Sequence, residues 1–362
     1  MRPDPAGDKI ACPTGSKVIV QYTREMRVAL LCVLVLAVSH CVLAASDPSL
    51  ARLEQQIELL ARTTDAVVGV SALHIESGKY VSVRGTEPFP QASAVKVPIA
   101  VQIMALADEG KLALDKMVTV RPADVHPGSG RINDLLFHPG LAMSVENIME
   151  LAIVVSDNSA ADLMLREAGG PAAVTARMKV LGLNGIRVDR SIAMLLADWG
   201  GVKAVPPEAE WNREMWDKLF NAVPEAEHMA ARRLQTADPR DTATPADMTR
   251  LIARIWKRDL FSQPYAGKML GVMERCETGK TRIKGLLPQG TDVAHKTGTV
   301  GGVVDDVGII TLPGKGGHVA LSVFTKGSYR SEEVSEKAVA EISRTIYDYF
   351  ALFVDSGSKE AQ

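Results

Sequence analysis

The sequence predicts an α/β chain of the α+β kind: one antiparallel sheet built from both chain ends, flanked by terminal helices, beside an all-helical domain. Three observations predict it. The stretch AVVGVSALHIESGKYVSVRG (66–85) alternates around a Glu-Ser-Gly turn, the pattern of a β-hairpin. Strands return late, in DVAHKTGT, VDDVGIITLP and HVALSVFTKG (292–327). Between them, from Ser93 to about Cys276, the apolar spacing is mostly helical.

Along the chain, Met26-Arg27 opens the apolar run VALLCVLVLAV (28–38), which ends in the small-residue stretch Val42-Leu43-Ala44. A short positive start, a run too short to span a bilayer comfortably and a small-residue end describe a secretory signal peptide. The alternative is a retained membrane anchor. Residues 1–25 then precede the true start, and 1–45 as a whole is extension plus leader. His40, which is not a small residue, precedes Cys41 and argues against a lipid-anchored cysteine. Cleavage near Ala44 or Ala45 leaves Cys276 as the one remaining cysteine of four, so no internal disulfide is expected. The protein is expected to be exported, periplasmic or secreted, free of the membrane after cleavage, and monomeric.

Next, LARLEQQIELLARTT (50–64) has helical spacing. With the hairpin and residues 280–362 it assigns 46–90 plus 280–362 to the sheet domain. PIAVQIMALADEG, VENIMELAIVV, NSAADLMLREAGG, AAVTARMKVLG and ADMTRLIARIW give the helical domain, 91–279. Residues about 203–242 are polar, with Trp211, Trp216 and Phe220 at roughly helical spacing. They read as a helical insertion on the surface, either lying over a cleft or forming a solvated excursion with a small satellite core. The amphipathic SEEVSEKAVAEISRTIYDYFALFV closes the fold.

Composition narrows the function. The chain has 362 residues, 46% hydrophobic and 23% charged, with a formal net charge of -2 and a sequence pI of about 6.4. That balance gives no electrostatic case for nucleic acid. His126, His138 and His295 stand without the paired spacing of a metal site. No metal and no cofactor is expected. Active sites favour junctions between a sheet and a helical domain.

Chemistry is carried by QASAVKVPIA (91–100). Lys96 sits inside an apolar run, three residues after Ser93, so the two side chains share a helix face. A bare ammonium there costs several kcal/mol or gives up its proton. A neutral amine can take the proton of the serine hydroxyl, and a helix N-terminus favours an oxyanion. By itself the spacing is weak: Ser356-Gly-Ser-Lys359 repeats it in the polar tail. Two further segments strengthen it. Ser156-Asp157-Asn158 stands between MELAIVV and a following helix, and Lys296-Thr297-Gly298-Thr299 lies on a predicted strand, where Gly298 lets a substrate backbone come close.

In this order and context the three motifs resemble the class A β-lactamases and penicillin-binding proteins. The likeness runs through 89–120, 138–174, 238–248, 276–302 and 306–313, nearly the whole mature chain, and is greatest to the branch with a histidine before KTGT. It implies that Ser93 is the acylated nucleophile and Lys96 its base or relay. Ser156 would pass a proton to the departing β-lactam nitrogen, and Asn158 would hold the substrate's side-chain amide. Lys296 and Thr297 would bind its carboxylate, and the backbone N–H groups of Ser93 and Thr299 would form the oxyanion hole. Lys296 would also help keep Lys96 neutral. The implied partner is a small β-lactam or peptidoglycan-type molecule.

One departure stands out. Class A enzymes empty the acyl-enzyme with a glutamate on the loop after the SDN helix, here GIRVDRSIAMLLADWGG (185–201). Aligning Asp189-Arg190 on the family's Asp-Arg puts Ile192 at the glutamate and Leu196 where an asparagine commonly supports it. Asp198 is the best-placed substitute base, with Glu208 and Glu210 behind it, although an ion-pair role suits a loop aspartate too. The readings are therefore a β-lactam hydrolase with slow deacylation, a D-alanyl-D-alanine peptidase or esterase-like hydrolase, and a sensor that reports ligand without turnover.

Overall fold

The computed structural model describes residues 47–357. The expected leader and cleavage site, and Ser356–Lys359 in part, lie outside the described residues. The strands are β1 (Val67–His74), β2 (Tyr80–Val83), β3 (Phe89–Pro90), β4 (Met117–Thr119), β5 (Ala142–Ser144), β6 (Thr242–Ala243), β7 (Val293–Val300), β8 (Val303–Thr311) and β9 (His318–Lys326). The helices are α1 (Pro48–Ala61), α2 (Lys96–Asp108), α3 (Arg131–Leu135), α4 (Val145–Val154), α5 (Asn158–Glu167), α6 (Pro171–Val180), α7 (Ile192–Gly200), α8 (Arg213–Asn221), α9 (Glu225–Thr236), α10 (Pro245–Lys257), α11 (Gln263–Glu274) and α12 (Glu332–Gly357).

The expected fold class holds. Five strands form one sheet in the order β2-β1-β9-β8-β7, every neighbouring pair antiparallel. β9 lies between β1 and β8, so the N-terminal hairpin joins the sheet only through the last strand of the chain. Strand alternation divides the core. Val319, Leu321 and Val323 face α1 and α12, packing with Leu53, Ile57, Val339, Ile346 and Phe350. Ala320 and Phe324 face the helical layer, packing with Phe89, Ile99, Ile103 and Leu251. Covered on both faces, these strands read as continuous apolar runs.

α2 is the central helix. Every residue from Lys96 to Ala105 is buried, which is why its sequence shows no polar face. Pro98 is tolerated because N–H groups in the first turn have no intrahelical acceptor, so its missing N–H costs no ladder bond. Two small ladders were not anticipated: β3 with β6, and β4 with β5. Two or three residues are too few for alternation to be read. Residues 203–242 fold as α8 and α9, and Trp216 packs with Ala193, Ala197 and Val202 against α7. The small cluster is therefore shared between the excursion and α7. Among the described residues no helix is long and apolar enough to cross a membrane.

Candidate active site

The turn that carries Ser93 is clamped before it begins. The Gln91 N–H donates to Asp241 O at 3.1 Å, and Gln91 Nε2 donates to Arg187 O at 2.9 Å and Thr242 O at 3.1 Å. The chain then makes a turn of 3-10 helix, Ala92–Val95, running directly into α2. Ala92 has a φ of 43°, a left-handed conformation that a side chain with Cβ adopts at a cost of order 1–3 kcal/mol. Ser93, partly exposed, therefore stands where the first helical N–H groups and the positive dipole end converge.

One turn on, Lys96 is fully buried. Its Nζ lies 2.7 Å from Ser156 O, 2.9 Å from Asn158 Oδ1 and 3.2 Å from Ser156 Oγ. Among the described residues it makes no hydrogen bond to Ser93 Oγ, a contact that often tightens only with substrate present. Burial, then the charge of Lys296, holds the Lys96 amine well below the ordinary lysine range, against the opposing pull of Asp157 and Asp162. A neutral amine has two hydrogens, and two carbonyl oxygens are in place to receive them. The third contact is then one in which the Ser156 hydroxyl donates to the nitrogen.

Ser156 is positioned by strain and capping. Its φ is 59°, and the next residue, Asp157, caps α5 by accepting from the Ala160 N–H at 2.8 Å while its other oxygen accepts from the Ile132 N–H at 2.8 Å. Asn158 is fixed by its N–H to Ser129 O at 3.0 Å and turns its side-chain oxygen onto Lys96.

β7 closes the other side as the edge strand. Lys296 is fully buried; its Nζ donates to Ser156 Oγ at 3.0 Å and to Thr297 O at 2.7 Å. Burial pulls its pKa down to about 8. Gly298 lies against the nucleophile turn: a Cβ there would sit 2.6 Å from Gln91 O and 3.1 Å from Ala94 N. The glycine was expected to make room for substrate backbone. What it makes room for is the turn that carries Ser93.

Ser93, Lys96, Ser156, Asn158, Lys296 and Gly298 are thus brought to one junction between sheet and helices, with Thr297 and Thr299 on the same strand. Asp198 is not in it. Its carboxylate is held by Arg190 and by Arg240 at 3.1 Å, turned to the loop's own arginines. Glu208 pairs with Arg121 at 2.8 Å, and Glu210 is exposed. Ile192 opens α7, and Leu195 and Trp199 one face along pack against Ala92 and Val303. The loop presents hydrocarbon beneath the nucleophile turn.

Three groups escaped sequence reasoning. Arg282 is buried and donates to Gly298 O at 2.9 Å, Asp305 O at 3.0 Å and Thr299 Oγ1 at 2.6 Å. Asp162 accepts from the N–H groups of Ile192 at 2.6 Å and Ala193 at 3.0 Å, and pairs with His126 at 3.2 Å. It lies four residues after Asn158 on α5, a spacing that puts both on one helix face. His295, read as solitary, pairs with Asp306 at 2.8 Å across β7 and β8. The partners of all three are distant in sequence. Among the described residues, no three or more His, Cys, Asp or Glu side chains are grouped to hold a metal ion.

Comparison with known proteins places this geometry. Residues 52–350 match the model of the beta-lactamase enzyme family. Beta-lactamase VEB-1 of Pseudomonas aeruginosa is 25% identical over 303 residues, 82% of this chain and 89% of that protein. Extended-spectrum beta-lactamase PER-1 of the same organism is 27% identical over 304 residues, 82% and 87% of the two chains. The solved structure of an ancestral class A beta-lactamase is 28% identical and superposes with a TM-score of 0.66, covering 82% of this chain and 99% of that one. With its fold, its paired lysines and its match across 52–350, the chain belongs to the beta-lactamase enzyme family, in class A.

Proposed function

We propose that the protein hydrolyses β-lactam amides through an acyl-enzyme on Ser93, rapidly in the acylation half and slowly in the deacylation half. The observation that carries this reading is the buried chain from Lys296 Nζ through Ser156 Oγ to Lys96 Nζ. Lys296 has hydrogens to donate, Ser156 has one hydrogen to pass, and a neutral Lys96 has the lone pair that receives it.

The steps follow from that order. Lys96 takes the Ser93 proton as Oγ attacks the lactam carbonyl. The oxyanion forms against the backbone N–H groups of Ser93 and Thr299, each such donor being worth about 3 kcal/mol. The proton travels by Ser156 to the departing nitrogen as the C–N bond breaks. Lys296, Thr297 and Thr299 receive the substrate carboxylate, and Asn158 its side-chain amide. Deacylation needs a base on a water. At Ile192 there is none, and Asp198 is committed to arginines, so Lys96 is the group left to serve. Export by the leader, life as a monomer free of the membrane, and antibiotic resistance as the outcome complete the reading.

The test is a chromogenic cephalosporin followed by colour and by intact mass. A burst, an adduct on Ser93 and slow continued turnover are expected. Ser93→Ala abolishes both signals; hydrolysis that survives it would show the nucleophile misassigned. A permanent adduct with no turnover favours the penicillin-binding peptidase or sensor reading, for which the hydrocarbon at Ile192, Leu195 and Leu196 is the specific support. Absence of any adduct removes β-lactams from the account.

A further inference from the structure

Behind β7 lies a second set of groups that the proposed reaction does not use. The segment after α11, Cys276 to Arg282, runs under the strand. Gly279, with a φ of +68°, lies so close that a Cβ there would overlap the Thr297 methyl. This brings three hydroxyl and thiol groups into line. Cys276 Sγ is 3.3 Å from Thr278 Oγ1, and Thr278 Oγ1 is 2.6 Å from Thr297 Oγ1. Cys276 is buried at 6% exposure, and His295 is fully buried. One ring nitrogen of His295 is held by Asp306 at 2.8 Å. The other, Nε2, has no hydrogen-bond partner among the described residues, while the imidazole interacts electrostatically with the Cys276 thiol.

We propose that Cys276 is a positioning residue which, through Thr278, sets the direction in which the Thr297 hydroxyl donates its hydrogen, and with it the affinity for substrate carboxylate. The inference rests on the reading of Thr297 as a carboxylate ligand. Each hydroxyl in the line has one hydrogen. A thiolate at Cys276 only accepts, so Thr278 donates inward to it and accepts from Thr297. The Thr297 hydrogen then points away from the substrate. A protonated Cys276 reverses the line: the thiol donates to Thr278, Thr278 donates to Thr297, and Thr297 donates outward. Thr299 is set the opposite way by a fixed charge. It accepts from the Arg282 guanidinium at 2.6 Å, which leaves its own hydrogen for the substrate. In the anionic state of Cys276 the carboxylate is received by Lys296 and Thr299 alone.

The charges around the thiol support an anion. Burial pushes its pKa up, but the nearby His295 imidazole and the charge of Lys296 outweigh burial and bring it down to about 6. Burial lowers His295, and Asp306 with Cys276 outweigh it, raising the imidazole to about 9. Arg282 bears on Lys296 from the far side. The remaining charged neighbours, Glu274, Arg275 and Glu277, are exposed, and Arg275 is paired with Glu150 at 2.8 Å on the surface.

The experiment measures the second-order acylation constant of the full chain with a carboxylate-bearing cephalosporin, and with its methyl ester, across the Cys276 titration. For wild type, acylation by the acid rises about tenfold as pH falls through about 6, the worth of one hydrogen bond to a charged group. The ester shows no step. Cys276→Ser and Thr278→Val acylate at neutral pH as wild type does in acid, a gain, and lose the step; Thr278→Ser restores it. A wild-type step in Cys276→Ser, or a loss of acylation in both variants as mere loosening would give, overturns the inference. Thr297→Val separates it from the underlying reading. If that change leaves acylation untouched in acid, below the Cys276 titration, the carboxylate role of Thr297 fails and the inference with it. If it slows acylation while Cys276→Ser titrates as wild type, only the inference falls. Thiolate absorbance, taken as the difference from Cys276→Ser, reads the same group without activity. Ionisation only in the ordinary thiol range, about 8.5, overturns the proposal.

Discussion

Two buried lysines share one serine hydroxyl, and their separate environments divide their work. Burial and its neighbour's charge hold Lys96 well below the ordinary lysine range, whereas Lys296 is pulled down by burial to about 8 and is a cation at neutral pH. The sign for catalysis follows. On the proposed role of Lys296, a protonated amine receives the carboxylate, so acylation by an acidic β-lactam should fall as pH rises through about 8. The methyl ester should be nearly indifferent over that interval, which steady-state or burst kinetics at two pH values would check. At Ile192 a base is missing in a geometry otherwise ready for it, since Asp162 holds the start of α7 by two N–H bonds. Ile192→Glu should speed deacylation by about 10²-fold or more, the ordinary worth of a placed general base. An unchanged adduct lifetime by mass would show that the α7 N-terminus does not face the acyl carbonyl.

At the scale of the element, the site depends on β7 lying flush against the turn that carries Ser93. Gly298→Ala should push the two apart. Acylation should drop by about 10²-fold, as a misplacement near 1 Å does, with a stability loss of only about 1–3 kcal/mol from overpacking; equal kinetics in the variant would mean the turn gives way freely. The α8–α9 excursion is held to α7 by its own apolar contacts and by Arg190, which reaches Asp241 at 2.6 Å across the base of the excursion. Trp216 is fully buried there. Trp216→Ala should cost about 3–5 kcal/mol of local or global stability, read by urea unfolding, and should disorder the segment that bears Ile192.

For the whole molecule, the sheet closes only when the last strand has arrived between β1 and β8. Phe324 on β9 is fully buried and lies 6.2 Å, ring centre to ring centre, from Phe89, which stands three residues before the Ser93 turn begins. Phe324→Ala should destabilise by about 3–5 kcal/mol and lower the unfolding midpoint seen by tryptophan fluorescence and by far-ultraviolet dichroism together. Separate shifts would mean that sheet and helical layer unfold independently.

Local rules read well where the chain obeys them. Alternation gave β1 and β2, the late runs in 292–327 gave β7–β9, helical spacing gave α1, α2, α4–α6, α10 and α12, and the lysine stranded among Val, Ile and Met drew attention to Ser93. The sequence by itself determined the fold class, the Ser93-to-Lys96 spacing within an apolar run and the isoleucine at position 192, because periodicity and residue type are properties of short windows. Tertiary structure alone decided that Asp198 belongs to Arg190 and Arg240, that Gly298 admits the Ser93 turn, and that Cys276 and Arg282 stand behind the strand that carries His295. Each of those is a meeting of segments far apart in the chain, and no local pattern of charge or hydropathy specifies which distant side chain arrives.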